Sequence, residues 1–301
     1  MGSVKFTPWQ AWSAAPAIPA HTLEEILDGG QAFRWSRQPD YFEGRWGAHV
    51  VRLRPATAKA DSIEYALPQA CHGESELQAL ADYFALETDF PALTDALPWR
   101  SDHVLQNAIQ HFPGMRILRQ PFAETLFCFL CSSAKQIPHI KAICENVAND
   151  LGPALPDGSH ALPDWPTIAE AGESALRHAR LGYRARYIHQ TACFLAENPG
   201  WLEDTEKLPT DHARDRLITL PGVGPKIADC VLLFGAGRMD AFPIDTWIAK
   251  ILTRAYHLED WPIQRLHDFA RIHFGHASGF AQQYLFSAVR AGRIANATTE
   301  A

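Results

Sequence analysis

Residues 220–247 read LPGVGPKIADCVLLFGAGRMDAFPIDTW, a glycine-rich turn that runs into an apolar helical stretch and on to an aspartate. Gly222 and Gly224 frame Val223, so the backbone can take angles closed to other residues and let a phosphate approach the main chain. The free N–H groups opening the next helix, at the positive end of its dipole, favour an anion. Ahead of the turn, DHARDRLIT is helical in character, and the whole reads as helix, turn, helix. Lys226 stands in the first turn of the second helix. Asp245 follows nineteen residues later, just beyond Pro243, where it would cap the helix TWIAKIL. A plain hairpin would use the lysine as a snorkelling side chain and the aspartate as a cap. A catalytic hairpin would use them as an amine and a carboxylate over a substrate.

Composition narrows the field. The chain has 301 residues, 47% hydrophobic and 20% charged, enough for two or three packed subdomains of an ordinary globular protein. No apolar run reaches bilayer length, so no membrane partner is expected. MGSVKFTPWQAWSAAPAIPAHT lacks both the compact apolar core of a secretory signal and the Ser/Thr of a myristoylation site. A net charge of −7 argues against a protein that coats nucleic acid nonspecifically. It leaves room for a local basic face, and 176–190, LRHARLGYRARYIHQ, has four arginines, two histidines and no acid. Cysteines at 71, 128, 131, 144, 193 and 230 lie mostly in apolar helical patterns, which suggests buried thiols in a reducing compartment. Cys128 and Cys131 form a C-x-x-C with no second pair at metal spacing, so they read as core cysteines on one helix.

The expected fold class is α+β. Residues 1–97 read as a small unit on an antiparallel sheet: HTLEEILDGG is a short helix with a Thr cap and a Gly-Gly stop, SRQPDY is a turn, and FEGRWGAHVVRLRP alternates as strands do. Residues 98–295 read as almost wholly helical. PFAETLFCFLCSS is apolar nearly all round, hence central, and further helices fit 184–197, 211–219, 225–234, 246–256, 262–274 and 278–292. The tail 296–301 is expected to fray.

LPGVGPKIADC resembles the helix-hairpin-helix motif of the base-excision DNA glycosylases, and FPIDT resembles the aspartate segment that follows it. GGQAFRW, LRQPFAETLFCFLCSS, LGYRARYI and FAQQYLFSA occur in the order found in one branch, the 8-oxoguanine DNA glycosylases of eukaryotic type, and the likeness spans most of the chain. The resemblance implies an N-terminal sheet domain and a helical glycosylase core with the active-site cleft. It makes Lys226 the nucleophile that displaces the base and forms a Schiff base at C1′, and Asp245 the catalytic carboxylate. Such a lysine must be neutral to attack, which needs apolar surroundings or a neighbouring cation. It implies a pocket in which the Gly30 carbonyl accepts from the N7–H of oxidised guanine, Gln282 reads the Watson–Crick edge, Phe286 stacks on the flipped base and Cys230 lies on its other face. Without the resemblance, Phe286 and Cys230 read as core residues and Gly30 as a helix stop. It implies that Gly222, Val223 and Gly224 hold a phosphate, that Tyr183 wedges the duplex and that Arg184 reads the orphaned cytosine. On residue pattern alone, those arginines are a solvated helix face.

The chain departs from the family near the opposite base. AKQIPHI puts Ala134 where an asparagine plugs the vacated position, leaving Lys135 or Gln136 to fill it, and puts His139 where an arginine stands. Trp247 replaces a phosphate-contacting histidine. These changes bear on cytosine preference and on grip. The expected activity is a bifunctional DNA glycosylase/AP lyase acting on damaged double-stranded DNA as a monomer, in a bacterial cytoplasm and nucleoid or in a nucleus. No cofactor is required, and a sodium, potassium or calcium ion is expected on hairpin carbonyls at Leu220 and Val223. The alternatives are a glycosylase for another oxidised or alkylated base and a noncatalytic helix-hairpin-helix DNA-binding module.

Overall fold

The computed structural model describes residues 5–71, 73–133 and 135–294. Ala134 and the tail 296–301, both read above, lie outside the described residues. The chain opens with β1 (Gln10–Ala11), α1 (Ala20–Asp28), β2 (Trp35–Arg37), β3 (Phe42–Trp46), β4 (His49–Pro55) and β5 (Ile63–Ala66). The strands form one antiparallel sheet in the order β1-β5-β4-β3-β2. Alternation sets its faces. Phe42, Gly44 and Trp46 turn inward, and the register Phe42↔Leu53 places buried side chains opposite one another. Outward, Arg45 and Arg52 both bind Glu43, at 2.5 and 2.7 Å.

Two local expectations are corrected. Thr22 does not cap α1: the helix starts at Ala20 after the extended Pro19, and Thr22 is buried inside it. The turn read in SRQPDY is shorter than expected, because Ser36 and Arg37 continue the ladder opposite Glu43 and Phe42. The turn closes with Gln38 N–H donating to Tyr41 O at 2.8 Å.

Helices follow: α2 (Gly73–Tyr83), α3 (Phe90–Ala96), α4 (His103–His111), α5 (Phe122–Cys131), α6 (Ile137–Leu151), α7 (Trp165–His178), α8 (Arg184–Glu197), α9 (Trp201–Lys207), α10 (Thr210–Ile218), α11 (Pro225–Phe234), α12 (Thr246–Arg254), α13 (Ile263–Phe274) and α14 (Ser278–Arg290). One apolar core runs from Leu53 and Ile63 of the sheet to Phe280 and Leu285 of α14. Helices that are apolar all round lie at its centre: eight of the ten residues in α5 and in α11 are buried. The two pack together, with the Phe129 and Phe234 rings stacked at 5.5 Å. α8 rides on the α10–α11 turn, where Thr191 Oγ1 donates to Pro221 O at 3.1 Å.

Candidate active site

The turn between α10 and α11 is built as its glycines require. Gly222 has φ +81°, a left-handed value that strains other residues, and a Cβ there would come within 2.9 Å of Tyr187 Cβ on α8. Val223 is buried and donates its N–H to Leu220 O at 3.1 Å, which pins the turn. The N–H groups of Gly224, Lys226 and Ile227 have no acceptor among the described residues. They are the unsatisfied donors of a helix start, open to an anion.

Lys226 is the second residue of α11 and half-buried. Its Nζ donates to Ser132 Oγ at 3.2 Å and lies 5.2 Å from the centre of the Phe129 ring. Asp245 is the N-cap of α12: one carboxylate oxygen accepts from Trp247 N at 3.0 Å and Ile248 N at 2.8 Å. Burial raises its pKa above the ordinary value, against the opposing pull of the Ile248 N–H and of the Lys226 charge. Capping and chemistry are compatible, because the second oxygen is free of the helix.

Lys226 and Asp245 share a cavity of about 790 Å³ with Gly30, Cys230, Gln282 and Phe286. Gly30 has φ +108°, and a Cβ there would meet Ile137 Cδ1 at 2.7 Å and Phe286 Cε1 at 3.6 Å. It is clamped on both sides: Arg290 donates to the Gly29 carbonyl, and Gln120 Nε2 donates to Gln31 O at 2.6 Å. The Gly30 carbonyl itself accepts no hydrogen bond among the described residues. Gln282 is 5% exposed, and its Oε1 is buried without a partner. Two unmatched acceptors therefore belong to one pocket. Cys230 is buried, and its thiol is pushed up to about 12 by that burial, with Lys226 opposing. It is a neutral thiol on the wall.

The DNA-facing candidates differ in exposure. Tyr183 precedes α8 and is 56% exposed, 6.5 Å from the Tyr187 ring. Arg184 does not lie on a solvated face. It is 4% exposed, its Cζ sits 4.4 Å from the Tyr183 ring centre, and its Nε has no partner. Lys135 and Gln136 are exposed and line the cavity, and His139 is exposed on the first turn of α6. Trp247 is 41% exposed at the mouth, with Lys250 Nζ 5.6 Å from its ring centre. Cys128 and Cys131 lie buried on α5, apart from this pocket, with Cys128 Sγ 3.7 Å from Cys144 Sγ. Sequence reasoning missed Ser132, Gln120 and Arg290. The first two lie inside a quoted stretch, but only the fold shows what they touch.

Comparison with known proteins gives the family. Residues 17–126 match the model of the 8-oxoguanine DNA glycosylase N-terminal domain, and residues 128–273 match the HhH-GPD superfamily base excision DNA repair protein. The N-glycosylase/DNA lyase OGG1 of Arabidopsis thaliana is 32% identical over 286 residues, which are 89% of this chain and 77% of that protein. The N-glycosylase/DNA lyase of Saccharomyces cerevisiae is 29% identical, over 92% of this chain and 85% of its own. The Clostridium acetobutylicum 8-oxoguanine glycosylase/lyase, solved with double-stranded DNA containing cytosine opposite 8-oxoG, superposes with a TM-score of 0.83 at 29% identity, covering 96% of this chain and 99% of that one. From the N-terminal sheet through the hairpin that holds Lys226, this chain belongs to the 8-oxoguanine DNA glycosylase family of the HhH-GPD superfamily.

Proposed function

We propose that this protein removes 8-oxoguanine from duplex DNA and then cuts the strand, acting as a DNA N-glycosylase with AP lyase activity in base excision repair. One observation carries the reading: an amine, a carboxylate and two unmatched carbonyl acceptors share one cavity. 8-Oxoguanine has a donor at N7 where guanine has an acceptor. Leaving the Gly30 carbonyl unmatched costs about 1–3 kcal/mol, enough for one carbonyl to discriminate between them. The amide of Gln282 meets the Watson–Crick edge, and Phe286 and Cys230 face the two sides of the base.

The hairpin N–H groups hold a phosphate, Tyr183 takes the stacking position of the extruded nucleotide, and the target base enters the pocket. Lys226 Nζ attacks C1′ as the C1′–N9 bond breaks, and the base leaves with the bonding pair and takes up a proton. The sugar ring opens to an iminium. Loss of a C2′ proton then expels the 3′ phosphate, and water releases the lysine. Asp245, in its carboxylate form, stabilises the positive charge that grows on the sugar. This route uses no organic or redox cofactor. A sodium, potassium or calcium ion fits the Leu220 and Val223 carbonyls: the first keeps a lone pair beside its one hydrogen bond, and the second carries none among the described residues. An ion held by those carbonyls would add positive charge to the turn that is proposed to bind the phosphate. The enzyme works as a monomer on damaged duplex DNA, in a bacterial nucleoid or a nucleus. No helix among the described residues is long and apolar enough to cross a membrane.

The test uses labelled duplexes with one 8-oxoguanine opposite each of the four bases, with borohydride trapping and a Lys226→Gln control. A strand cut and a trapped adduct, both absent in the variant, are expected. Because His139 is shorter than the arginine it replaces, excision opposite bases other than cytosine is expected as well. DNA binding without excision would favour a different damaged base or a clamp without chemistry.

A further inference from the structure

Lys226 Nζ donates to a hydroxyl that the proposed reaction does not use. Its acceptor is Ser132 Oγ, at 3.2 Å. The same hydroxyl donates its only hydrogen to the Phe129 carbonyl at 2.7 Å. The polarity is therefore fixed: Ser132 can only accept from the amine. Its place is rigid too. Ser132 is the C-cap of α5, its N–H bonds Phe129 O at 3.0 Å, and the last seven residues of the helix are buried. The Phe129 ring that stacks on Phe234 of α11 is the same ring that lies under Lys226.

We propose that Ser132 is a positioning residue for the nucleophile, an inference that rests on the lyase reading of the pocket. A neutral amine that gives one N–H to Ser132 has its lone pair fixed at the tetrahedral angle from that bond. That bond leaves the lone pair one of two remaining tetrahedral positions about Nζ, and Ser132 and Asp245 line the same cavity in which C1′ must be met. After attack the iminium nitrogen retains one hydrogen, and Ser132 accepts that hydrogen as well, so the contact holds on both sides of the step. The residue gives no proton and takes none.

An abasic-site duplex isolates this step, because Schiff-base formation there does not depend on which base the pocket accepts. Full-length wild type, Ser132→Ala and Ser132→Thr are compared by borohydride trapping rate, by affinity for a duplex carrying a tetrahydrofuran abasic analogue, and by Tm. Misaiming a reacting group by about 1 Å costs on the order of a hundredfold. The alanine variant is expected to trap about tenfold to a hundredfold more slowly at unchanged affinity and Tm, and the threonine variant to recover most of the rate. Wild-type trapping by the alanine variant overturns the proposal, as does a loss of rate matched by an equal loss of affinity or unrescued by threonine. An 8-oxoguanine duplex run alongside separates the two ideas. Trapping on the abasic site without excision of the lesion overturns the base assignment alone, and no trapping by wild type overturns both.

Discussion

At the scale of single residues, Asp245 carries a tension that can be measured. Burial raises its carboxyl above the ordinary 3.8, so the folded state holds the proton more tightly than the unfolded chain does. The sign is the reverse of a salt-bridged aspartate. Its contribution to stability is favourable at low pH and is lost as pH rises through the raised pKa. Activity runs the other way, because charge stabilisation needs the carboxylate. Single-turnover excision is therefore expected to fall on acidification through a midpoint above 3.8, and Asp245→Asn to lose most activity together with that acidic limb. Asparagine can still cap α12, so the variant should melt no lower than wild type at neutral pH. A Tm drop of several degrees would contradict the assignment. Lys226 and Asp245 were legible in the sequence because each sits beside local punctuation, the glycine turn and Pro243. Arg184 was not. In a patch of four arginines it reads as solvated, and only the path of α8 tucks it beneath Tyr183.

Among the elements, the α10–α11 hairpin is also the seat of α8. Tyr187 packs where Gly222 has no side chain, and Thr191 bonds Pro221 O, so the helix that follows the exposed Tyr183 takes its position from the glycine turn. Gly222→Ala imposes a left-handed alanine, which costs about 1–2 kcal/mol. It also presses a methyl to 2.9 Å from Tyr187 Cβ. We expect a lower denaturant midpoint, together with weaker binding to duplex DNA than the stability loss alone accounts for. An unchanged midpoint would show that α8 yields freely. Helix positions were largely readable, since apolar runs such as α5 and α11 are long and α4 announces itself with its Asp102 cap. The sheet was readable where residues alternate. The two-residue β1 carries no such signal, and Thr22 misled because a proline had already opened α1.

On the scale of the whole molecule, chemistry and recognition come from different parts of the chain. Lys226 and Asp245 stand within one short stretch, whereas the pocket proposed to select the base takes Gly30 from near the start and Gln282 and Phe286 from near the end. No local pattern links residues so far apart. Only the resemblance joined them, and the fold gives the physical reason: α14 is buried on nearly every side and packs on α4, α12 and α13. Arg290, its last residue, holds the Gly29 carbonyl beside Gly30. The helix proposed to read the base is thus also the floor under the helix that Asp245 caps.

That shared support gives the protein a safe way to fail. A repair enzyme that kept its nucleophile but lost its base check would strip sound guanine from the genome. Here a chain that ends before Ser278 loses the pocket wall and the footing of α12 together. Such a fragment is expected to melt without a cooperative transition and to trap on neither an abasic-site duplex nor undamaged DNA. Efficient trapping by the fragment would show that the nucleophile stands without α14. A prematurely ended copy is then expected to fall silent rather than become a mutagen.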